Sequence, residues 1–271
     1  MNFVLFIYNI FMSNVPPEPL PDKQIFGLHP NVFFLGLTSL LNDISSEMIF
    51  TLLPLFLTNV LGVSTVIVGL IGGISGSADS LFRIFSGWYS DKIGNRKSFA
   101  VFGYALSAVA KPFMYIAGTW GSVTGIRFAD RVGKGIRNAP RDALVADSVN
   151  RDQRGKAFGF HRAMDTAGAV VGLALVALII YLVQGNGATL ALSTYHWIVI
   201  VGIVPGFIGT LVVLLFVREA RKKNGAEAKA KSAGGGLSKN FKVYLVILAI
   251  FTLGNTSDFF VILRAQNLGD S

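Results

Sequence analysis

The stretch SGWYSDKIGNRKSFA, residues 86–100, separates two long apolar runs and decides how the chain is organised. Gly87 permits another backbone to approach closely, and Gly94 permits a tight turn at low steric cost. Asp91 would oppose the dipole of a helix that ends there, so we expect it to have a cationic partner or another helix's N-terminus. The three cations of the stretch suit a loop beside anionic lipid headgroups. They are Lys92, Arg96 and Lys97.

The composition indicates a membrane protein. Hydrophobic residues make up 52% of the 271 residues and charged residues only 14%, against about 25% charged in soluble chains. Seven runs are long enough to cross a bilayer as helices, which takes about 20 residues each. They lie near 31–60, 66–90, 98–117, 119–147, 157–184, 194–217 and 241–266. We therefore predict an all-α polytopic fold rather than a large soluble helical core, because no segment before the sixth run is polar enough to coat such a core.

The cations are distributed asymmetrically between the loops. The breaks after runs 2, 4 and 6 hold fourteen Lys and Arg residues, and the breaks after runs 1, 3 and 5 hold none. Positive charge marks cytoplasmic loops. The even-numbered breaks and the N-terminus are therefore expected in the cytoplasm of a multi-pass protein of the cell (inner) membrane. The net charge of +9 fits this topology, so no nucleic-acid partner is expected.

The spacing of the runs predicts four parts. Residues 1–30 form a lead-in, 31–217 a six-helix bundle, 218–240 a basic cytoplasmic linker, and 241–271 the first helix of a second bundle. The linker is rich in small residues and reads as flexible, although a lipid-surface patch is compatible with it. Six helices, a linker and a seventh helix are typical of a repeated six-helix design.

Enzyme and metal chemistry are not indicated. The chain has no cysteine and only three histidines, His29, His161 and His196, without metal-ligand spacing. The glycine-rich GLIGGISG lies within an apolar run and lacks the Lys-Ser/Thr ending of a phosphate loop. No nucleophile–base pattern stands out. We expect no cofactor and no metal.

The spacing Gly87-x-x-x-Asp91-Lys92-x-Gly94-x-Arg96-Lys97 resembles the loop signature of the major facilitator superfamily. Further stretches, NDISSEMIFTLLPLFL, DRVGKGIRNAPRDALVADS and RGKAFGFHRAMDTAGAVVG, resemble a prokaryotic branch of it. The resemblance implies a twelve-helix fold with the substrate between two six-helix halves. It also implies that the loop is a gate whose Asp91 engages the second half.

Charges inside the apolar runs are candidates for a substrate or proton pathway, because one charge at a helix centre costs roughly 2.5–3.5 kcal/mol on insertion scales. The cations of run 4 fall within roughly 120° of one helix face. They are Arg127, Arg131, Lys134, Arg137 and Arg141, with Asp130 and Asp142 as local offsets. This basic stripe indicates a track for an anionic solute or charge pairs that break during transport. For Arg137 and Arg141 the alternative is snorkelling toward the headgroups.

Carboxylates in other runs are natural partners of the stripe. Asp43 and Glu47 share a face of run 1 and could pair with the stripe or carry protons. Asp79 and Arg83 are expected to neutralise each other. His161 and Asp165 share a face of run 5, which fits either a proton relay or helix packing.

The resemblance adds detail to these assignments. Arg127 matches an arginine that the superfamily links to proton coupling, but Arg131 stands where a glycine is usual. Gly159, Gly168 and Gly172 fit the start of the antiporter motif, whereas Leu173 replaces its proline. The pattern therefore departs from that of the drug–proton antiporters.

We therefore expect a secondary transporter of a small solute, with an anionic solute and proton coupling as the favoured variant. The sequence is expected to be one part of a truncated or split transporter, completed by the missing C-terminal half. Two alternatives stay open: a half-size module that works as a dimer with a second copy, and a non-transporting subunit or inert fragment.

Overall fold

The computed structural model describes residues 24–185, 189–220, 241–244, 246–247 and 258–269. Its long helices follow the seven predicted runs. They are α1 (Pro30–Phe50), α2 (Thr65–Ile93), α3 (Arg96–Ala110), α4 (Trp120–Asp147), α5 (Arg154–Val183), α6 (Leu192–Phe216) and α7 (Asp258–Gly269). α1 continues through short turns, Leu53–Leu55 and Phe56–Val60, and α3 through a 3₁₀ turn, Lys111–Ile116. Most of the predicted linker, 221–240, and part of run 7 lie outside the described residues.

Local sequence explains where these helices begin and end. Pro30 opens α1, and the His29 ring accepts a hydrogen bond from the Asn31 backbone at 3.2 Å. α2 ends at Gly94, whose φ of +76° places it in the left-handed region as expected of a turn glycine. Thr119 and Ser122 form a capping box at the start of α4.

Two apolar clusters lie at opposite ends of the bundle. The first includes Val32, Leu35, Tyr104, Leu144, Ala157 and Val213. The second includes Met48, Phe56, Ile71, Met114, Val123, Val176 and Tyr195. Odd-numbered helices from α1 to α5 run from the first cluster to the second, and even-numbered helices up to α6 run back. The six helices therefore alternate in direction, as in a polytopic membrane protein.

The ends near the first cluster are bound together by hydrogen bonds. The Asn31 amide donates to Ser148 Oγ at 3.0 Å and to the Arg218 carbonyl at 2.9 Å. The Lys97 backbone N–H donates to Glu219 Oε2 at 2.7 Å. The described cation-rich breaks after α2 and α4 and the start of the break after α6 therefore lie at one end of the bundle, together with the chain before α1.

The packing divides into two groups of three helices. α1 has its largest interfaces with α5 and α6, and α4 with α2 and α3. Exchanging α1–α3 with α4–α6 leaves this pattern unchanged, which is typical of inverted three-helix repeats. Glycines permit the closest approaches. A Cβ atom on Gly103 of α3 would lie 2.5 Å from the Gly133 carbonyl of α4, and one on Gly168 of α5 would lie 2.5 Å from the Leu40 carbonyl of α1.

α4 differs in composition from the other predicted spans. Five described segments are long and apolar enough to cross a membrane by length and composition, but α4 is not among them. Its 28 residues span about 42 Å as a helix, but its charges remove the apolar character that run 4 was given. α4 is accommodated because α2 and α3 cover much of its surface.

Candidate functional site

Between the two apolar clusters lies a layer of polar and charged side chains, here called the charged layer. It is formed by α1, α3, α4 and α5. Its charged members are Asp43, Glu47, Lys111, Arg127, Asp130, Arg131, Lys134, Arg137, Arg141 and Asp165. Six of these are cations and four are carboxylates, so the layer has an excess of positive charge when all are ionised.

The Arg127–Asp130 pair lies inside the bundle. Both side chains are buried, and the Arg127 Nη1 atom lies 3.5 Å from Asp130 Oδ2. The Arg127 guanidinium also lies 4.1 Å from the centroid of the Phe50 ring, which is a cation–π distance. The three-residue spacing on one helix brings the two charges together. Arg127 therefore contacts α1 and its own helix, α4, rather than open space.

Arg137 is also inside the bundle, which corrects the snorkelling alternative for this residue. It is 3% exposed. Its Nη1 atom donates to Ser107 Oγ at 3.2 Å and to Asn42 Oδ1 at 3.4 Å, and its guanidinium lies 4.3 Å from the Tyr104 ring centroid. The close glycine contact between α3 and α4 puts this side chain in the interior, away from the headgroups.

Arg131 and Lys134 differ from these two arginines. Both are half-buried, and within the described residues neither forms a hydrogen bond or an ion pair. Asp43 on α1 is half-buried as well and lies within electrostatic range of Lys134, Arg137 and Arg141. Within the stripe and its carboxylates, these are the half-buried side chains without a hydrogen bond or ion pair to a described residue, and their contact with a solute stays a prediction.

Glu47 forms a local contact on α1. The Thr51 hydroxyl donates to Glu47 Oε2 at 2.6 Å, and Arg127 is within electrostatic range. In α2, Arg83 Nη2 lies 3.2 Å from Asp79 Oδ2, as the four-residue spacing predicts.

His161 and Asp165 form a junction between α5, α1 and α4. The Ser39 hydroxyl of α1 donates to Asp165 Oδ1 at 2.5 Å, and His161 Nδ1 lies 3.5 Å from the same oxygen. Arg141 Nη1 donates to Ser39 Oγ at 3.4 Å. His161 is buried, and its Nε2 atom has no partner among the described residues. The predicted same-face pair is formed, and through Ser39 it joins α5 to α1, whereas a proton relay stays a prediction.

Lys111 is a member of the charged layer that the site prediction missed. Its side chain is fully buried at the point where α3 changes to a 3₁₀ turn, and its Nζ atom donates to Ser45 Oγ at 2.9 Å. α6 comes close to the same place, because a Cβ on Gly206 would lie 2.8 Å from Ser45 Oγ and 3.7 Å from Lys111 Nζ. An isolated Lys followed by Pro gives no periodic signal, and its partner is 66 positions away in sequence.

The predicted gating loop connects α2, α3 and α4. Arg96 Nη2 lies 2.9 Å from Asp91 Oδ1, and Arg96 Nη1 pairs with Asp147 at the end of α4. Asp91 therefore has the cationic partner that its position requires. Lys92 Nζ lies 5.3 Å from the Trp88 ring centroid, and a Cβ on Gly87 would lie 3.2 Å from Ala139. Contact between Asp91 and a second half stays a prediction.

Comparison with known proteins identifies the family. The family model described as Major Facilitator Superfamily matches residues 35–268. The chain belongs to the major facilitator superfamily. Its helical, polytopic fold and its predicted place among transport proteins rather than enzymes agree with this membership. Among the described residues, no three His, Cys, Asp or Glu side chains cluster in a way that could hold a metal ion.

Superfamily relatives extend the comparison without identifying a substrate. The chain is 38% identical over 239 residues to an uncharacterised MFS-type transporter of Methanocaldococcus jannaschii, covering 88% of this chain and 57% of that protein. It is 28% identical over 143 residues to the multidrug resistance protein MdtH of Salmonella newport, covering 53% of the chain and 35% of MdtH.

Solved structures of low identity share the fold. A peptide transporter POT crystallised with sulfate matches with a TM-score of 0.63 and 20% identity, covering 90% of this chain and 51% of that one. A bacterial homologue of the human lysosomal transporter Spinster matches with a TM-score of 0.55 and 19% identity, covering 70% and 44%. The chain thus spans about half the length of the relatives that it matches.

Proposed function

We propose that this chain is one half of a secondary transporter for a small anionic solute, and that Arg131 and Lys134 contact the solute. The proposal rests on the observation that these two cations have no partner in the described part of the chain. Both are half-buried on α4, and neither has an ion pair or hydrogen bond within the described part of the chain. A charge in a membrane bundle faces a cavity or pairs with another group. An anion would supply the pairing.

Proton coupling is the second part of the proposal. Asp43 faces several cations of α4 without a hydrogen bond or an ion pair among the described residues, and the Glu47 carboxylate accepts a hydrogen bond from Thr51. A carrier needs charges that pair in one state and separate in another. A proton on Asp43 or Glu47 would remove the negative charge that faces these cations and leave them to the solute, and loss of the proton would return that charge. His161 and Asp165 are further proton positions, because the hydrogen bond from Ser39 of α1 to Asp165 would change if α5 moved relative to α1.

The transport pathway is proposed to need a second six-helix unit. The face of α2 that carries Gly73 and Gly76 supports this, because Cβ atoms on these two glycines would meet nothing within 4 Å among the described residues. A Cβ on Gly69 of the same helix would instead lie 2.8 Å from the Phe260 ring of α7. The second unit would be a C-terminal half or another copy of this chain. We place the assembly in the cytoplasmic membrane, with the N-terminus and the basic linker on the cytoplasmic side.

Transport by reconstituted protein tests the proposal. The chain is placed in proteoliposomes alone and after co-expression with the remaining C-terminal part of the Methanocaldococcus relative. Uptake of labelled organic anions is compared with uptake of lipophilic cations. Arg131→Gln should reduce anion transport at least about tenfold, equivalent to 1.4 kcal/mol. Arg151→Gln is the matched control, because Arg151 is exposed in the turn before α5 and forms no ion pair among the described residues.

The outcomes separate the hypotheses. Anion uptake by the chain alone, together with a dimeric mass in detergent, would favour the second copy over a C-terminal half. Transport of cations only, or unchanged anion transport by Arg131→Gln, would contradict the anionic solute. Absence of transport under both conditions would favour a non-transporting subunit.

A further inference from the structure

Behind the proposed solute-binding face lies a second group of cations that the proposed function does not use. Lys111 and Arg137 are 0% and 3% exposed, so they lie within the six-helix unit rather than on a cavity wall. Among the described residues, neither forms an ion pair within 4.0 Å. The buried carboxylate of Asp130 lies within electrostatic range of both cations, but its ion pair is with Arg127. Within the described residues, the two positive charges therefore have neutral groups as their hydrogen-bond partners, and the carboxylates of Asp130 and Asp43 act on them only from beyond ion-pair distance.

Those neutral contacts are few and weak for cations in a bundle interior. Lys111 Nζ has one hydrogen bond, to Ser45 Oγ. Arg137 has two long hydrogen bonds through one nitrogen, to Asn42 and Ser107, and the face of Tyr104. A buried charge is costly unless it is paired and hydrogen-bonded. These direct contacts carry no negative charge, and the carboxylates beyond ion-pair distance are shared with the other cations of the charged layer.

Hydrogen-bond donors without an acceptor concentrate around Arg137. Its own Nε atom, the Asn42 Nδ2 atom and the Tyr104 hydroxyl are buried and have no partner among the described residues. Asn42 and Tyr104 both touch the Arg137 guanidinium. Two of the three orphan atoms can only donate. What the group lacks is an acceptor, and a negatively charged acceptor would also offset the two cations.

We propose that α1, α3 and α4 bind a small monovalent inorganic anion of the size of chloride, held by Arg137, Asn42 and Tyr104 with Lys111 supplying the second charge. Water could accept the hydrogen bonds but would leave the charge in place, whereas an anion satisfies both. The site is distinct from Arg131 and Lys134, and it would stabilise the bundle whether or not the transported solute is anionic.

Anion-dependent melting of the purified chain in detergent tests this site. Wild type is compared in sodium chloride and in sodium gluconate at matched ionic strength, because gluconate is too bulky for an interior site. Chloride should raise the melting temperature by at least about 3 °C through preferential binding to the folded state. The chloride NMR line width should broaden with wild-type protein and narrow again on addition of bromide.

Variants locate the effect. Arg137→Met and Lys111→Met should abolish the chloride-dependent shift, and Arg151→Met, which removes an exposed cation by the same change, should keep it. Should either interior variant fail to fold, Asn42→Leu retains both cations and removes one donor, and chloride should then bind about tenfold more weakly. Absence of a chloride effect in wild type overturns the proposal. Loss of the effect in Arg131→Gln, with retention in Arg137→Met, also overturns it and moves the anion to the solute face.

Discussion

Gly103 and Gly133 set the distance between α3 and α4 at the depth of the charged layer. A Cβ on either glycine would lie within 2.7 Å of the other's carbonyl oxygen. Both partners are backbone atoms, so neither can move aside without moving a helix. This contact keeps Arg137 and Ser107 together, and it explains why small residues occur where the chain is most highly charged.

Gly103→Ala should therefore destabilise the protein. The added methyl group overpacks the α3–α4 contact, which costs about 1–3 kcal/mol, and the melting temperature in detergent should fall. Gly73→Ala in α2 is the matched control, because its Cβ meets nothing within 4 Å in the described part of the chain. It should leave the melting temperature unchanged or raise it, since Ala is favoured over Gly in helices by about 0.5–1 kcal/mol. Equal effects of the two variants would contradict the close packing.

Contacts between residues of one helix could be predicted from the sequence, whereas contacts between helices could not. Asp79 with Arg83 and His161 with Asp165 are neighbours in one helix, and their spacing predicted their contacts. Lys111 with Ser45 and Arg137 with Asn42 join different helices, 66 and 95 positions apart in sequence. Such contacts depend on helix packing, which helical periodicity alone does not contain.

The loop between α2 and α3 connects three helices through one arginine. Arg96 pairs with Asp91 of α2 and with Asp147 of α4 while it opens α3. The Asp91 side chain is 61% exposed, so its contribution to folding should be small, as for most surface ion pairs, at about 0–1 kcal/mol.

Asp91→Asn should consequently affect transport more than stability. In the assembly that transports, we expect at least about a tenfold loss of rate, or 1.4 kcal/mol, with nearly unchanged membrane abundance and melting temperature. Asp152→Asn, in the exposed turn before α5, should change none of these quantities. Normal transport by Asp91→Asn would mean that the loop sets topology but does not gate.

Glu219, just after α6, caps the first turn of α3 through the Lys97 backbone. Burial raises the pKa of the Glu219 carboxyl, while hydrogen bonds from the Lys97 and Arg96 backbones partly oppose the rise. A raised folded pKa means that the fold favours the protonated acid. Its contribution to stability is therefore fully present below the ordinary value of 4.5 and is lost as the pH rises through the raised value.

Melting temperatures across that pH window test this linkage. The wild-type value should fall relative to that of Glu219→Gln as the pH increases above 4.5, since Gln keeps the size of the side chain without titrating. A difference between the two proteins that does not vary with pH would show that Glu219 titrates normally.

Within the described residues, the cation-rich segments lie at one end of the molecule, together with residues 24–29. These segments are the loop with Lys92, Arg96 and Lys97, the Arg151–Lys156 loop and the start of the chain after α6. The number and order of the long helices could be predicted because each apolar run is itself a physical requirement of the bilayer. How the charges of α4 are accommodated could not be judged from its own sequence, since this depends on the helices that cover α4.

Reporter fusions test the orientation of this end. Reporters at Gly118, between α3 and α4, and at Gly187, outside the described residues, should report the non-cytoplasmic side. Reporters at the N-terminus and within 221–240 should report the cytoplasm, because cytoplasmic loops hold the cations. A cytoplasmic signal at Gly118 would contradict the proposed topology.

The division of the bundle into two groups of helices has a consequence for biosynthesis. α4 meets its two main partners, α2 and α3, as soon as it leaves the ribosome, because both precede it. α1 is made first, yet its main partners, α5 and α6, are made last. The first helix, with Asp43 and Glu47 on it, must therefore wait in the translocon or beside an insertase until synthesis of the unit is almost complete. A ribosome stalled before α4 would leave those two carboxylates without the α4 cations within their electrostatic range, and membrane quality control would recognise them.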